Sequence, residues 1–540
     1  MLIRTTASIA LIAGLLAVPS VAGAETVRVN GATGNNNGGN CGVTPQPACK
    51  TIQFGAARAQ GIAGADQILV APGSYAEVVS VQGQGDTLAG AGSCDQAATC
   101  TIIEPAPGVQ DAVTSNVNND NGQISGVRIK AATSMARIGL IMAGDNPVVR
   151  DVAVEMNAPN NTKAALRLSG AGDAVVDRTT VTVTGDGDGF SPLAGLNSVT
   201  VTDSSVKTGT DYAMLIGAGV GTVIRRSRFE AGVNANVVVS DDPGPVRLES
   251  SLIVGGNVGL AVGAPATVVG STFDPGQAGG SDGTAISTFY ADAGETSTVR
   301  DSLLVGGIYT SGGQPVDCSN SVVGSAGTLA PTCVAGTAGN SSADPAELFA
   351  GVAARDYRLK PGSPAVDAGS ATALDPAEAT DIAGNARVLD GNGDCLARRD
   401  RGAYELTGFA AACPQGQQGA TGGGTAAVPD TTKPTLARLA AGRTKLTFRL
   451  SEAARVSVTV ERKGRKGRRT VYRRVGGFSV GQAKAGANSA KVPVKLAKKL
   501  KAPATYRVTL VATDAAGNRS AKGRKSFTVK PAKKKRRARR

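Results

Sequence analysis

Apolar residues return along the middle of the chain at the spacing of one supersecondary unit. Val154, Val181, Val206, Phe229, Leu252, Phe273, Leu303 and Val322 form one column, 19 to 30 residues apart. Most follow a small hydroxylated or polar residue, as in Thr179-Thr-Val181, Ser204-Ser-Val206, Ser250-Ser-Leu252 and Ser271-Thr-Phe273. Between them lie short runs of Val and Thr, such as Val199-Thr-Val-Thr202 and Val237-Val-Val-Ser240, broken by Gly, Asp and Asn. That composition predicts strands and tight turns. From about residue 110 to 330 no stretch sustains a 3.6-residue apolar period, which argues against a helical solenoid. The dense Leu pattern of a leucine-rich repeat is missing as well.

The period predicts an all-β chain whose main body is a stack of about nine to eleven coils, each of three short strands, a parallel β-helix. Intervals of unequal length are then insertions in the turns, which leave the core register alone. After Pro434 the pattern changes to longer alternating strands, Lys445–Leu450, Arg455–Val460, Tyr506–Val511 and Ser526–Val529. About seven such strands predict a small β-sandwich. The expected organisation is a signal peptide over 1–24, a β-helix with an N-terminal cap over 25–345 and a closing segment over 346–408. A Gly-rich linker over 409–433, the sandwich over 434–529 and a basic tail over 530–540 follow.

Two flanking motifs sharpen this. Lys50-Thr-Ile-Gln opens an Ala-rich helical stretch, followed by Asp66-Gln-Ile-Leu-Val-Ala-Pro-Gly-Ser-Tyr-Ala-Glu77. It resembles the entry into a right-handed parallel β-helix of the pectin-lyase-like kind. Downstream, Asp356-Tyr-Arg-Leu-Lys-Pro-Gly-Ser-Pro-Ala-Val-Asp-Ala-Gly369 resembles the signature of the bacterial choice-of-anchor Q proteins. Its second half continues as Thr380-Asp-Ile-Ala-Gly-Asn-Ala-Arg-Val-Leu-Asp390 and Arg401-Gly-Ala-Tyr-Glu405, with Asn392–Asp400 inserted before the last motif. The resemblance covers roughly residues 26 to 406. It implies a β-helix at the cell surface or outside the cell, and no particular catalytic activity. Ala504–Asn518 resembles bacterial immunoglobulin-like or fibronectin type III-like repeats, which act as spacers or sugar-binding appendages.

The N-terminus predicts export. Arg4, the apolar run Ile9–Val18 and the small residues Ala22-Gly-Ala24 have the order of a secretory signal peptide, too short to span a bilayer. Eight cysteines fall into neighbouring couples, Cys41/Cys49, Cys94/Cys100, Cys318/Cys333 and Cys395/Cys413. An even count in an exported chain favours disulfides, with 105 connectivities formally open. Neighbouring pairs are preferred because each would staple a loop near an end of the stack. Zinc binding fails on partners, since the chain has no histidine and no Cys-x-x-Cys.

Charge divides the chain. Residues 25–429 hold 23 Lys and Arg against 38 Asp and Glu, whereas 430–540 hold 33 against 4. Such asymmetry points to separate partners for the two parts. The tail, Lys530–Arg540, reads as a solubilising extension or as an electrostatic attachment to an anionic envelope polymer. With Tyr472 and Tyr506 as the only tyrosines of residues 430–540 and no Trp, stacking platforms for specific nucleic acid recognition are scarce.

Candidate chemistry is thin. Without histidine, Ser-His-Asp and Cys-His catalysis are excluded, and so is galacturonase chemistry, although Arg128-Ile-Lys130 resembles part of that family's motif. The third residue before the anchors gives Asp203, Arg226 and Glu249, spaced 23 residues apart. Stacked on one face, they form either a cross-strand ion ladder or a site for a metal, an acidic sugar or proton abstraction. Asp390, Asn392 and Asp394 place oxygens at alternate positions, as calcium loops do, and also as plain turns do. The expectation is therefore a secreted or cell-surface monomer that binds extracellular polysaccharide or an anionic envelope polymer without catalysis. Its cofactor is none, or calcium. The alternative is a calcium-dependent uronate lyase acting by β-elimination.

Overall fold

In this computed structural model the chain winds through three parallel sheets, each strand pairing with its counterpart one coil away. The sheets hold 12, 11 and 10 strands, designated A, B and C, and their strand orders step by one coil throughout. This is a right-handed parallel β-helix. The structure describes residues 24–531 apart from 408–432 and shorter internal stretches, the longest being 132–137, 277–282 and 290–295. The signal peptide, linker and basic tail read from the sequence lie almost wholly outside the described residues. Two compact units result, Met1–Gly419 and Ala420–Arg540.

The N-terminal end is closed by the helix Ile52–Gln60, whose face of Ile52, Gly55, Ala56 and Ala59 is buried. Its first turn is capped twice: Thr51 accepts from the Phe54 amide, and the Glu77 carboxylate accepts from Ile52 and Gln53 at 2.7 and 2.8 Å. Exposed amides at a helix start need such acceptors. Tyr75 donates to the Ala71 carbonyl and accepts from Gly31. Both conspicuous residues of the Pro-Gly-Ser-Tyr-Ala-Glu77 motif are thus structural.

Inside the stack, Val154, Val181, Val206, Phe229, Ile253, Phe273, Leu304 and Val323 pair in register along sheet B and point into the core. Three residues before each stands a backbone in the left-handed region: Asp151, Arg178, Asp203, Arg226, Ser250, Gly270, Asp301 and Asn320, with φ from 45° to 53°. Next comes a buried hydroxyl or amide, in the order Thr179, Ser204, Ser227, Ser251, Ser271, Ser302, Ser321 and Asn340. From Ser204 onward each accepts from the amide of the equivalent residue one coil earlier at 3.0 to 3.2 Å. Each hydroxyl also donates to the carbonyl two residues before it. The amide left free by the left-handed turn is satisfied in this way, coil after coil.

This register corrects the anchor column. Leu252, Leu303 and Val322 are each one residue short of the inward position, held by Ile253, Leu304 and Val323. Side chains alternate faces along a strand, so a one-residue slip moves a residue to the other side. The pattern misled because both faces are apolar here. Residues 345–406 fold back over sheet B, and Leu348, Phe349, Tyr357, Leu359, Ala365 and Ala403 bury the outward Leu252, Val254, Leu303 and Val322.

That closing segment is tied down by buried charge. Glu378 accepts from Arg247 and Arg300 at 3.0 and 3.1 Å, and Arg399 donates to Asp301 at 3.0 Å. Arg387 and Glu405 pair at 2.9 Å with almost no exposure. Asp381 accepts the amides of Ala383, Asn385 and Glu405, and Asp400 those of Asp367 and Leu406. Burial pushes Asp400 up to about 6 despite those bonds.

Disulfides join Cys41 to Cys49, Cys94 to Cys100 and Cys318 to Cys333. Cys395 is also disulfide-bonded, and Cys413 lies outside the described residues. The second unit consists of a three-stranded and a four-stranded antiparallel sheet around Leu446, Phe448, Val456, Val458, Tyr506, Val508 and Leu510.

Two outcomes follow. Ser251→Ala strands the buried Ser227 amide, while the Glu249 carbonyl keeps the Arg226 amide, and should lower unfolding stability by about 1–3 kcal/mol. Thr180→Ala, on the exposed face, should change it by less than about 0.5 kcal/mol. Denaturant midpoints of the two variants measure the contrast. The second outcome concerns pH. Among the described residues burial raises Asp66, Asp86, Asp188, Asp211, Asp274, Asp367, Asp400 and Glu405, whereas charge partners hold down Asp95, Glu230 and Asp356. A carboxyl raised on folding binds its proton more tightly when folded, so its contribution falls as pH rises from about 4 through the folded value. The melting temperature of the β-helix unit should therefore be no lower at about pH 5 than at about pH 8. Calorimetry showing a steady climb over that range would contradict it.

Candidate binding face

The outer surface of sheet B changes character along the stack. From the strand Val127–Ala131 to the strand Arg228–Ala231, outward positions are mostly polar and at least partly open, the buried Ala153 and Glu230 excepted. One row runs Lys130, Glu155, Thr182, Lys207, Glu230, and its neighbour Arg128, Ala153, Thr180, Ser205, Arg228. Five strands at about 4.8 Å give a polar track of roughly 19 Å. At one end Asp95, in the loop stapled by Cys94–Cys100, pairs with Lys130 at 2.5 Å and lies near Arg128. At the other end the surface turns apolar and the closing segment covers it.

Where the open face meets the segment there is a pocket of about 350 Å³, lined by Arg178, Thr180, Asp203, Ser204, Ser205, Arg226, Arg228, Ile382 and Tyr404. Two of the three residues singled out in the sequence meet here. Arg226 grips Asp203 through Nε and Nη2 at 2.7 and 2.8 Å. Arg178 holds Asp151 in the same way at 2.6 and 2.9 Å, and reaches Asp177 through Nη1. The hydrogen bonds to Asp203 and Asp151 raise the affinity of Arg226 and Arg178 for their protons, so both stay cationic. Among the described residues nothing takes up the Nη1 donors of Arg226. Arg228 donates to Glu230 at 3.0 Å. Burial pushes Glu230 up, but Lys207, Arg228 and Arg355 outweigh it and hold the carboxylate below its usual range.

Glu249 does not join them. Because Ile253 is the inward residue of its coil, Ser250 occupies the stacked position and Glu249 lies one residue earlier, at the end of the sheet A strand Val246–Glu249. There it is buried between Arg225 and Arg247. The Asp390, Asn392 and Asp394 oxygens are occupied by their own turn. Asp390 accepts from Gly393 and Cys395 at 2.7 and 2.8 Å, Asn392 from Asp394, and Asp394 from Leu396.

Sequence reasoning missed Tyr404 and Arg178. Tyr404 belongs to the Arg401-Gly-Ala-Tyr-Glu405 motif, and Arg178 is the third residue before Val181, so the spacing rule that found Arg226 could have found it. A second groove of about 720 Å³ flanks the segment on its other side, with Asp274, Asp344, Arg355 and Tyr357 among its walls. Tyr357 donates to Asp274 at 2.5 Å, and burial raises both groups. The carboxyls pushed closest to neutrality, Asp188 at about 7 and Asp400 at about 6, lie outside the arginine pocket.

No protein-family model and no curated protein matches the chain. Among solved structures it is similar to a pectin methylesterase in complex with a hexasaccharide, at 11% identity over 59% of this chain and 93% of that one, with a TM-score of 0.29. It is also similar to the enzymatically active domain of tailspike protein 2 of bacteriophage CBA120, at 9% identity over 88% of this chain and 74% of that one, with a TM-score of 0.24. Likeness at that level carries no argument about function, and the architecture is read from the sheets of this chain.

Proposed function

We propose that this is an exported, choice-of-anchor Q-type surface protein that binds an acidic extracellular polysaccharide along the open face of sheet B without transforming it. The observation that carries this reading is Arg226. Asp203 fixes its guanidinium on one side, its Nη1 donors remain available, and it stands in a pocket at the end of a polar track. A preset planar fork suits a sugar carboxylate, which it can bind with little loss of side-chain freedom. Thr180, Ser205 and Tyr404 supply hydroxyls beside it for ring oxygens. A repetitive surface matches a repetitive ligand better than a small molecule. The disulfides are compatible with an oxidising setting. In this scheme the protein works as a monomer, the acidic unit faces the ligand, and the immunoglobulin-like basic unit keeps it at an anionic envelope.

The Asp203–Arg226 pair supports binding over β-elimination, because proton abstraction needs a carboxylate or amine free of such a partner. Arg226→Ala should weaken binding of a polyuronate by about tenfold, or roughly 1.4 kcal/mol, while a neutral glucan remains unbound. Titration calorimetry of the purified protein, alongside absorbance of unsaturated products with and without calcium, tests this. Equal affinity of variant and parent would remove the pocket from the reading. Calcium-dependent product that Arg226→Ala abolishes would put the lyase in its place.

A further inference from the structure

The four-stranded sheet of the second unit runs in the order Arg469–Ala483, Ala454–Lys466, Ala504–Thr513 and Gly523–Val529. Its first two strands are far longer than the sheet needs. Ala454–Lys466 pairs with Ala504–Thr513 only as far as Arg462 opposite Tyr506, yet continues with Arg469–Ala483 as far as Lys466 opposite Arg469. Beyond Arg462 the hairpin is therefore a two-stranded ribbon, with no third strand beside it among the described residues. Two-stranded ribbons are marginal unless something supports them.

Their sequence makes this one worse. Residues 462–474 contain eight basic residues, six of them Arg, and no acid. Arg462, Lys463, Arg465, Arg473 and Arg474 are all exposed. Arg462 stands directly opposite Arg473, and the register sets Lys466 opposite Arg469. Like charges on directly opposed residues destabilise a strand pair. At the root, Glu461 stands opposite Arg474 but is already paired with Arg507 at 2.8 Å, so one shared acid faces the ribbon's basic residues.

We propose that this ribbon is a docking element for a linear phosphodiester polymer of the cell envelope, whose phosphates supply the missing counter-charge. Arg462 and Arg473 present two guanidinium forks from neighbouring strands. The two free oxygens of a phosphodiester diverge from a tetrahedral phosphorus and can each meet one fork, whereas the coplanar oxygens of a carboxylate match a single fork. Basic positions repeat along the ribbon at about 3.4 Å per residue, which suits a chain of anions better than a single one. Base stacking is poorly served. Tyr472 is the one aromatic residue of the ribbon, and Arg507 covers a face of its ring at 3.5 Å.

The test uses the full-length protein and poly(glycerol phosphate), with duplex DNA and polygalacturonate at equal charge concentration. Arg462→Gln with Arg473→Gln should weaken binding of poly(glycerol phosphate) by roughly tenfold and flatten its salt dependence by about one to two counterions. Removing opposed like charges should leave the melting temperature of this unit unchanged or higher. A ribbon that served only the fold would not combine weaker binding with undiminished stability. The matched control is Lys484→Gln with Lys501→Gln, which removes the same charge from exposed positions elsewhere on the unit. An equal loss in that control, or no loss in the ribbon variant, overturns the assignment to the ribbon. Binding of DNA or polygalacturonate at least as tight as that of poly(glycerol phosphate) overturns the choice of partner.

Discussion

One hydrogen bond, repeated coil after coil, fixes most of what this chain can be. Between sheets A and B each coil turns through a left-handed residue, and the amide that follows is buried without a strand partner. The next coil's hydroxyl meets that amide from Thr179 to Asn340. The bond ties each coil to its neighbour at the same depth, so the inward side chain two residues later falls on top of the last one. Without it every turn would leave a buried donor, at a cost of about 1–3 kcal/mol each. Apolar burial alone is non-directional and would tolerate a slipped coil; the hydroxyl column does not.

The left-handed column explains how the charges reached the surface where they sit. An Arg at φ near 45° is unfavourable by about 1–2 kcal/mol, yet Arg178 and Arg226 both adopt it. Each is held by an Asp from the preceding coil, Asp151 or Asp203, through two hydrogen bonds. Strain and ion pair belong together: the turn aims the guanidinium along the stack axis, where the previous coil's carboxylate waits. The pocket inherits its most specific group from a requirement of the turn.

Much of the fold was legible in the sequence because its period is set by that column. Thr-Thr-Val181, Ser-Ser-Val206 and Ser-Thr-Phe273 contain both the hydroxyl and the inward residue. The same evidence failed at Leu252, Leu303 and Val322, where apolar residues sit side by side, because periodicity cannot tell inside from outside once a second layer covers the sheet. Glu249 was misplaced for that reason alone. The motif carboxylates Glu77, Asp381 and Glu405 could pass for chemistry, since helix capping and buried pairing use the same residue types as catalysis. The long basic hairpin left almost no trace, because Arg, Lys and Gly over residues 462–469 show no apolar alternation; only pairing with a partner strand reveals it.

A β-helix poses a particular problem for any site: its faces repeat, and a repeating face is nearly flat. Concavity has to come from something that breaks the repeat. Here residues 345–406 do so by covering the apolar half of sheet B and stopping at its polar half. The step between the two is where Arg226, Arg228 and Tyr404 converge. The apolar residues Leu252, Leu303 and Val322 that obscured the register thus have a consequence beyond stability. They decide how far the segment extends, and so where on an otherwise uniform surface a ligand can be held from more than one side. Shifting that boundary by a single coil, about 4.8 Å, would leave the same arginines on an open sheet with no opposing wall.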